Sequence, residues 1–322
     1  MPNISATYSN YKMQELAATD IMLLIISCLV VLANAAVCCL VIARRILRTY
    51  TNGFVVSLAV SDILSGGVFM PLTVVSPDST FRGHVAMMII VSSTLNLSAV
   101  AFDRYLAVVR PLAYKSRIET SFIRIVCAVW SASIAMSILP VIWSADATLL
   151  VHQVYLTCAV IFFLVLPLIF ILFVYTFIFM RLRQHGKLLR NLQATRTRLD
   201  EARRSRRELK SVKMFFIILA IFAACWIPVI YMTFAFVANR PEIIPLSLTV
   251  ISHFSIMLSS LVNPFLYTFM KLDFQREMKS MLPCKRFKQR RRPRRRYTHD
   301  SMRTTKATFL SVIDAESKSL SC

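Results

Sequence analysis

Apolar residues fall into seven long runs separated by shorter polar stretches: 21–43, 54–75, 85–109, 125–143, 155–180, 214–238 and 243–270. Each is close to or above the about 20 residues that a helix rising about 1.5 Å per residue needs to cross about 30 Å of hydrocarbon. Backbone amides in lipid must pair within their own segment, so each run is expected to be a helix. The third and seventh runs are read as the least apolar. The pattern predicts an all-α membrane protein, a seven-transmembrane helix bundle.

The connections carry the next signal. The chain has a net charge of +22, which in isolation would admit a nucleic-acid binder. The placement of Lys and Arg excludes that reading. Three lie between Arg44 and Arg48, five between Arg104 and Arg124, twelve between Arg181 and Lys213, and fifteen from Lys271 onward. The opposite side has Lys12, Arg82 and Arg240. Basic residues stay with the cytoplasmic face, so the N-terminus is expected outside and the C-terminus inside. Seven spans require the same arrangement.

This divides the chain into an extracellular segment (1–20), a membrane domain (21–270), a membrane-surface helix (271–284) and a cytoplasmic tail (285–322). The first twenty residues show no basic-then-apolar cleavage pattern, so no cleaved signal is expected. Asn3 in Asn3-Ile4-Ser5 fits a glycosylation acceptor, although the triplet also arises by chance. Outer loops are expected at 76–84, 144–154 and 239–242. The inner stretch 182–210 has helix-favouring composition, so spans five and six should extend inward.

Beyond span seven, Phe274, Met278, Met281 and Leu282 repeat at helical spacing, with Arg276, Glu277 and Lys279 on the other side. That is a short amphipathic eighth helix lying on the inner membrane surface. Cys284 follows it as a palmitoylation candidate. The basic run 285–296 should attract anionic inner-leaflet lipids. Most of the eight cysteines lie within spans as small apolar fillers, without metal-type spacing.

Four ionisable residues interrupt the spans: Asp62, Asp103, Arg104 and His253. Charge in a span is costly and marks function by default. The motifs around them are "DRY" (Asp103, Arg104), "SLAVSD" ending at Asp62, "CWIP" with Trp226 and Pro228, and "NPFLY" with Asn263, Pro264 and Tyr267. With Asn34 (preceded by Ala33), Trp130, Pro167, Tyr175, Phe222 and Phe274, this set resembles the rhodopsin-like (class A) G protein-coupled receptors from about residue 21 to 284.

The resemblance implies a ligand-operated switch. Arg104 would be held by Asp103 and by Glu208 at the base of span six, then released toward Tyr175, Tyr267 and a heterotrimeric G protein. Phe222, Trp226, Pro228, Pro167, Asn263 and Pro264 would carry the movement, with Pro228 kinking span six. Asp62, Ser93, Ser260 and Asn263, with Ser259 and Trp226 nearby, resemble a sodium site, a carboxylate among oxygens suited to a hard cation. The other expectation for Asp62 is a protonated group in a polar network. Receptor kinases and arrestin are implied partners at Ser and Thr such as Ser205.

Departures from the family narrow the ligand. Ser79 stands where many members have a bridged cysteine, and the second outer loop has none. This resembles the melanocortin, lysophospholipid, cannabinoid and adenosine receptors. Ala86 replaces the carboxylate of amine receptors, although residues 47–66 read much like one. Met257 replaces the retinal-linked lysine of opsins, so no Schiff base can form. Thr94 stands in place of a relay isoleucine.

The pocket expected from the resemblance is lined by Ala86, Met87, Ile90, Val91, Ala159, Val160, Phe163, Val229, Ile230, Thr233, His253 and Met257. It is mostly apolar, with His253 and Thr233 as polar anchors, and suits a lipid-like or weakly polar small molecule. His253 can equally be read as a packed helix residue. No nucleophile–base pair or metal set points to an enzyme. The rival readings are an amine-like or peptide receptor of the same fold, and a transporter or non-signalling scaffold.

Overall fold

In the computed structural model, residues 4–146, 148–191, 220–270, 274, 275 and 277 are described, with backbone alone for 4–16, 111–112, 185–191 and 266–270. The seven runs form seven helices: α1 (Ala17–Ala43), α2 (Tyr50–Val75), α3 (Thr80–Val109), α4 (Ala113–Trp143), α5 (Leu150–Gln184), α6 (Ala220–Val237) and α7 (Leu246–Phe265). Each is long and apolar enough to cross a membrane. Following the charge pattern, the end carrying Arg44, Arg48 and Arg104 is the inner end.

Several boundaries differ from the hydropathy reading. The first helix reaches back to Ile4, through most of the expected N-terminal segment. The second inner connection shrinks to the turn at Arg110, because Pro111, which lacks an N–H, serves as the first residue of the next helix. The fifth helix starts at Leu150, and its helical backbone runs inward to Asn191. Lowest mean hydropathy falls on α7 (1.4) and α2 (1.7), with α3 at 1.9. The reason for α2 is packing: 61% of its window is buried inside the bundle, so it tolerates Ser, Asn and Asp.

Proline and glycine shape the helices. A wide π-type turn at Ser65–Phe69 precedes Pro71, and another at Ile161–Val165 precedes Pro167. In each case the proline cannot donate to the carbonyl one turn back, and the wider turn absorbs the mismatch. Gly66 lies at a close approach of α1 and α2: a Cβ there would meet the Ser27 carbonyl oxygen at 2.8 Å. Ser27 Oγ donates to the Gly66 carbonyl across the same contact. Gly53 plays a similar part nearer the inner end, against the Phe122 ring.

Two helix ends are closed by left-handed residues, Ser144 after α4 and Asn239 after α6. In both, a later N–H returns to a carbonyl five residues back: Ala145 to Pro140 at 2.8 Å and Arg240 to Ala235 at 2.9 Å. Between α4 and α5, Asp146 accepts from the Thr148 amide and hydroxyl, and these bonds hold its carboxyl below the usual range.

The inner core gathers Leu97 and Ala101 of α3, Leu164, Ile171 and Tyr175 of α5, and Phe222 and Trp226 of α6. Phe274 is fully buried in the same cluster, which also includes Val37 and Leu40 of α1. It packs into the bundle, where the amphipathic reading had assigned it to the membrane surface. Glu277 pairs with Arg44 at 3.3 Å. Met278, Met281 and Leu282 lie outside the described residues. A second cluster, nearer the outer end, joins Leu23, Phe69, Val85, Ile89, Ile256 and Met257.

Candidate functional site

Asp103 is completely buried at the inner end of α3. Its Oδ2 accepts from Thr51 Oγ1 at 2.8 Å, and its Oδ1 from the Tyr114 hydroxyl at 2.7 Å. Arg104 Nη2 stands 3.3 Å from the same Oδ2. The Thr51 and Tyr114 oxygens lie 3.0 Å apart, but each hydroxyl spends its one proton on the carboxylate. One carboxylate therefore ties α2, α3 and α4 together. Arg104, by contrast, keeps 34% of its side-chain surface exposed. The anion is locked and the cation is half free.

Local structure delivers these partners. Thr49 caps α2, accepting from the Asn52 amide at 3.3 Å, while Asn52 Nδ2 donates to the Leu47 carbonyl at 2.7 Å. The cap sets Thr51 in the first turn, facing α3. Phe122 packs edge-on against Phe54 at 4.9 Å and holds α4 against α2, which keeps Tyr114 in reach. Glu208, the expected second partner of Arg104, lies outside the described residues, as do Asn3, Ser205 and Cys284.

Above Arg104, three of the expected switch residues, Tyr175, Phe222 and Trp226, share one buried cluster. Tyr175 is buried, with its hydroxyl in the electrostatic field of Arg104 and Asp103. Phe222 and Trp226 are buried with ring centroids 5.8 Å apart. Pro167, Pro228 and Pro264 are buried, and Pro264 interrupts the ladder of α7. Tyr267 continues that helix, and only its backbone is described. Thr94 turns its hydroxyl back to the Ile90 carbonyl at 2.8 Å, so it bonds within its own helix.

The second carboxylate, Asp62, is also buried. Asn263 Nδ2 donates to its Oδ2 at 2.9 Å. Ser93 is drawn elsewhere: its hydroxyl meets Ser61 at 2.9 Å, and Ser61 meets Ser92 at 2.6 Å. Ser259 donates to the Ile256 carbonyl. Asn34 donates to the Val30 and Ser260 carbonyls, while its own Oδ1 and Ser65 Oγ are buried oxygens without a hydrogen-bond partner. One carboxylate beside hydroxyls and spare amide oxygen is a donor set of the type a hard cation takes. Trp130 Nε1 donates to Ser57 at 3.0 Å, joining α4 to α2.

The outer pocket residues divide. Val91, Ala159, Val160 and Met257 are buried, whereas Ala86, Met87, Ile90, Phe163, Val229, Ile230, Thr233 and His253 are half-buried. Thr233 donates to the Val229 carbonyl at 2.9 Å, so its proton is committed. His253 stacks obliquely near Phe69, with centroids 6.4 Å apart. A separate groove of about 610 Å³ between α4 and α5 takes Phe163 alone from this set, with Met136, Leu139, Trp143, Tyr155 and Phe162.

Residues 33–267, well over half of the chain, match the family described as 7 transmembrane receptor (rhodopsin family). The chain belongs to that family. The receptor is 28% identical to human neuromedin-U receptor 1, over 87% of this chain and 76% of the relative. It is 29% identical to a D(1)-like dopamine receptor from Oreochromis mossambicus, over 87% and 81%. It is 27% identical to the chicken (Gallus gallus) adenosine receptor A2b, over 82% and 88%. These relatives are named for chemically different ligands, so their names do not choose among ligand classes. The receptor is a multi-pass plasma-membrane protein of a signalling family and not an enzyme.

The six described cysteines of the receptor are free. At its outer end, hydrogen bonds join neighbouring helices instead. His84 Nδ1 bonds the Ser137 carbonyl between α3 and α4. Trp143 Nε1 donates to His152 Nδ1 at 3.0 Å between α4 and α5. Gln153 donates to Asn239 at 2.8 Å between α5 and the end of α6. Sequence reading missed these residues, and also Thr51, Tyr114, Ser61 and Ser92. The only signal for the inner pair was a hydroxyl just after a helix cap and a tyrosine eleven residues past Asp103.

Proposed function

We propose that the receptor binds a small, largely apolar ligand in its outer pocket and activates heterotrimeric G proteins through outward movement of the inner end of α6. The observation that carries this reading is the asymmetry of the Asp103–Arg104 pair. A guanidinium beside a fully bonded carboxylate, itself still about a third exposed, can turn to a new acceptor without disturbing the anion. Glu208 would hold it in the resting state. Ligand binding would favour the packing in which Arg104 faces Tyr175, Tyr267 and the G protein, the ligand acting by its preference for one of two states. Pro228 weakens the ladder of α6 and gives that helix its hinge.

Ala86, where an amine receptor has a carboxylate, supports a ligand that is not a biogenic amine. A sodium ion at Asp62, with Ser93, Ser260 and Asn263, would favour the resting packing. The tail would be anchored by palmitoylated Cys284 and the basic run 285–296 on anionic lipids, and receptor kinases and arrestin would act on its Ser and Thr. Asn3 would carry a glycan.

The test is G protein activation in cells, with sensors for several Gα classes. Glu208→Ala should raise ligand-free signalling, and Arg104→Ala should abolish it, at equal surface expression. Unchanged basal activity in Glu208→Ala would remove Glu208 from the lock. Full signalling in Arg104→Ala would sink the mechanism.

A further inference from the structure

The groove of about 610 Å³ between the outer halves of α4 and α5 has its origin in helix packing. Both helices are laid against α3, and among the described residues their backbones scarcely approach each other. Side chains bridge the gap. The Tyr155 hydroxyl donates to the Met136 carbonyl at 2.7 Å, and Trp143 Nε1 donates to His152 Nδ1 at 3.0 Å. Tyr155 is buried, whereas Leu139, Val151, Val154 and Phe162 remain exposed along the lining. The groove therefore opens sideways, into the bilayer.

Its depth follows from helix rise. On α4 it ends at Trp143, the last residue of the helix. On α5 it runs from Val151 to Phe163, about 18 Å of helix. The hydrocarbon of one leaflet is about 15 Å deep. An occupant of this groove is a molecule of the outer leaflet.

Charge decides its chemistry. Between Arg124 and Arg181 the chain has no Lys or Arg, and Asp146 is the only Asp or Glu. Neither helix offers a cation to a lipid phosphate. Arg240 follows Asn239, which bonds Gln153 of α5, but it already pairs with Glu242 at 3.6 Å. The rim supplies a neutral donor instead. His152 accepts the indole proton at Nδ1, so its own proton sits on Nε2. Deeper in, the Tyr155 proton is committed to the Met136 carbonyl, and the remaining lining is apolar. These features suit an apolar body with one neutral hydroxyl at its outer end. A flexible acyl chain loses rotamer freedom when fixed in a cleft, and a fused ring system has little to lose.

We infer that the groove between α4 and α5 seats a sterol of the outer leaflet, with its rings against Leu139, Val154 and Phe162 and its hydroxyl at the Trp143–His152 joint. The sterol fills the space between two helices that otherwise meet mainly through α3, and so braces them. The seat depends on the membrane position of the bundle and not on the signalling reading.

The experiment uses the full chain, one copy per disc of zwitterionic phospholipid. The probe is cholesterol with a photoreactive group on its ring system, and adducts are mapped by mass spectrometry. Labelling should concentrate between residues 136 and 163 and be competed by cholesterol. Epicholesterol, with its hydroxyl inverted, should compete at least about threefold more weakly, within the worth of one neutral hydrogen bond. His152→Phe should abolish that preference. Val154→Trp, which fills the exposed lip, should cut labelling about tenfold, and Ile134→Trp, also exposed on α4 but outside the groove lining, should not. Cholesterol should raise the melting temperature of Ile134→Trp as in wild type, and leave Val154→Trp unmoved.

Labelling spread evenly over the lipid-facing helices overturns the inference. So does equal competition by the two sterols, or unchanged labelling in Val154→Trp. Equal labelling of the groove by a phospholipid with a photoreactive acyl chain would give it to ordinary bilayer lipid. Cys158 is free and exposed in the groove. Efficient Cys158–Cys158 cross-linking between copies in sterol-containing membranes would give the groove to a second copy. Either result sinks the sterol seat.

Discussion

The two ends of the bundle treat charge in opposite ways. At the inner end, Asp103 accepts two hydroxyl protons and an ion pair, so its burial is fully compensated. At the outer end, Arg82 has a buried donor with nothing to meet it. A saturated buried network fixes one arrangement of its helices. An unsaturated one is poised to take up a partner that is not part of the chain. On the proposed mechanism, the inner end holds a state and the outer end has that state changed.

That contrast breaks most directly at Asp103. Asp103→Ala removes the acceptor that the Thr51 and Tyr114 hydroxyls share and leaves Arg104 without its near partner. The resting packing should lose on the order of 2–4 kcal/mol, discounted for the exposure of Arg104. The readout is ligand-free G protein activation per receptor at the surface, which should rise while total surface expression falls. Wild-type basal signalling in this variant would show that the hub only braces the helices.

A finer cut keeps the carboxylate and removes its donors. Thr51→Val and Tyr114→Phe should each weaken the resting state by about 1.5–3 kcal/mol, the worth of one hydrogen bond to a charged group. The double variant should cost more than the sum, because either hydroxyl alone still holds Asp103 to a neighbouring helix. Strict additivity in thermal unfolding would mean that the two bonds act independently.

The smallest effect belongs to the outer joint. Trp143→Phe removes one neutral hydrogen bond, about 0.5–1.5 kcal/mol. An indole nitrogen only donates, so His152 must accept through an unprotonated Nδ1. Protonating His152 makes both ring nitrogens donors and breaks the joint. Stability from this bond is present while His152 is neutral and is lost as pH falls. The charged or titratable groups around it are Asp146 and Tyr155. Wild type should therefore lose thermal stability on mild acidification, and Trp143→Phe should lose less. Equal pH profiles would mean that the joint contributes nothing.

How far the site was legible follows from sequence separation. Asp103 and Arg104 were plain because they are adjacent and interrupt an apolar run. Asp62 was plain for the same reason. Their partners were not. Thr51 stands 52 residues from Asp103, in a stretch read as an inner loop, and Asn263 stands 201 residues from Asp62. Asn263 was found only because the motif in the last span resembles a known family. Ser93 was placed near Asp62 by the same resemblance, but Ser61 takes its hydroxyl. Phe274 was read as a membrane-facing residue because its spacing is amphipathic. Spacing gives a helix face, not what that face meets, and here it meets the bundle.

The chain's own pattern determined the number of helices, their approximate limits and which charged residues interrupt the spans. Those follow from the length of hydrocarbon to be crossed and the cost of charge within it, both of which act on each segment separately. Only the tertiary structure decided that one carboxylate would gather three helices, that Thr233 would spend its proton on its own backbone, and that Arg82 would bury an Nε without an acceptor among the described residues. Those outcomes depend on which faces of separate helices meet, and that choice is made by packing among residues far apart in the chain.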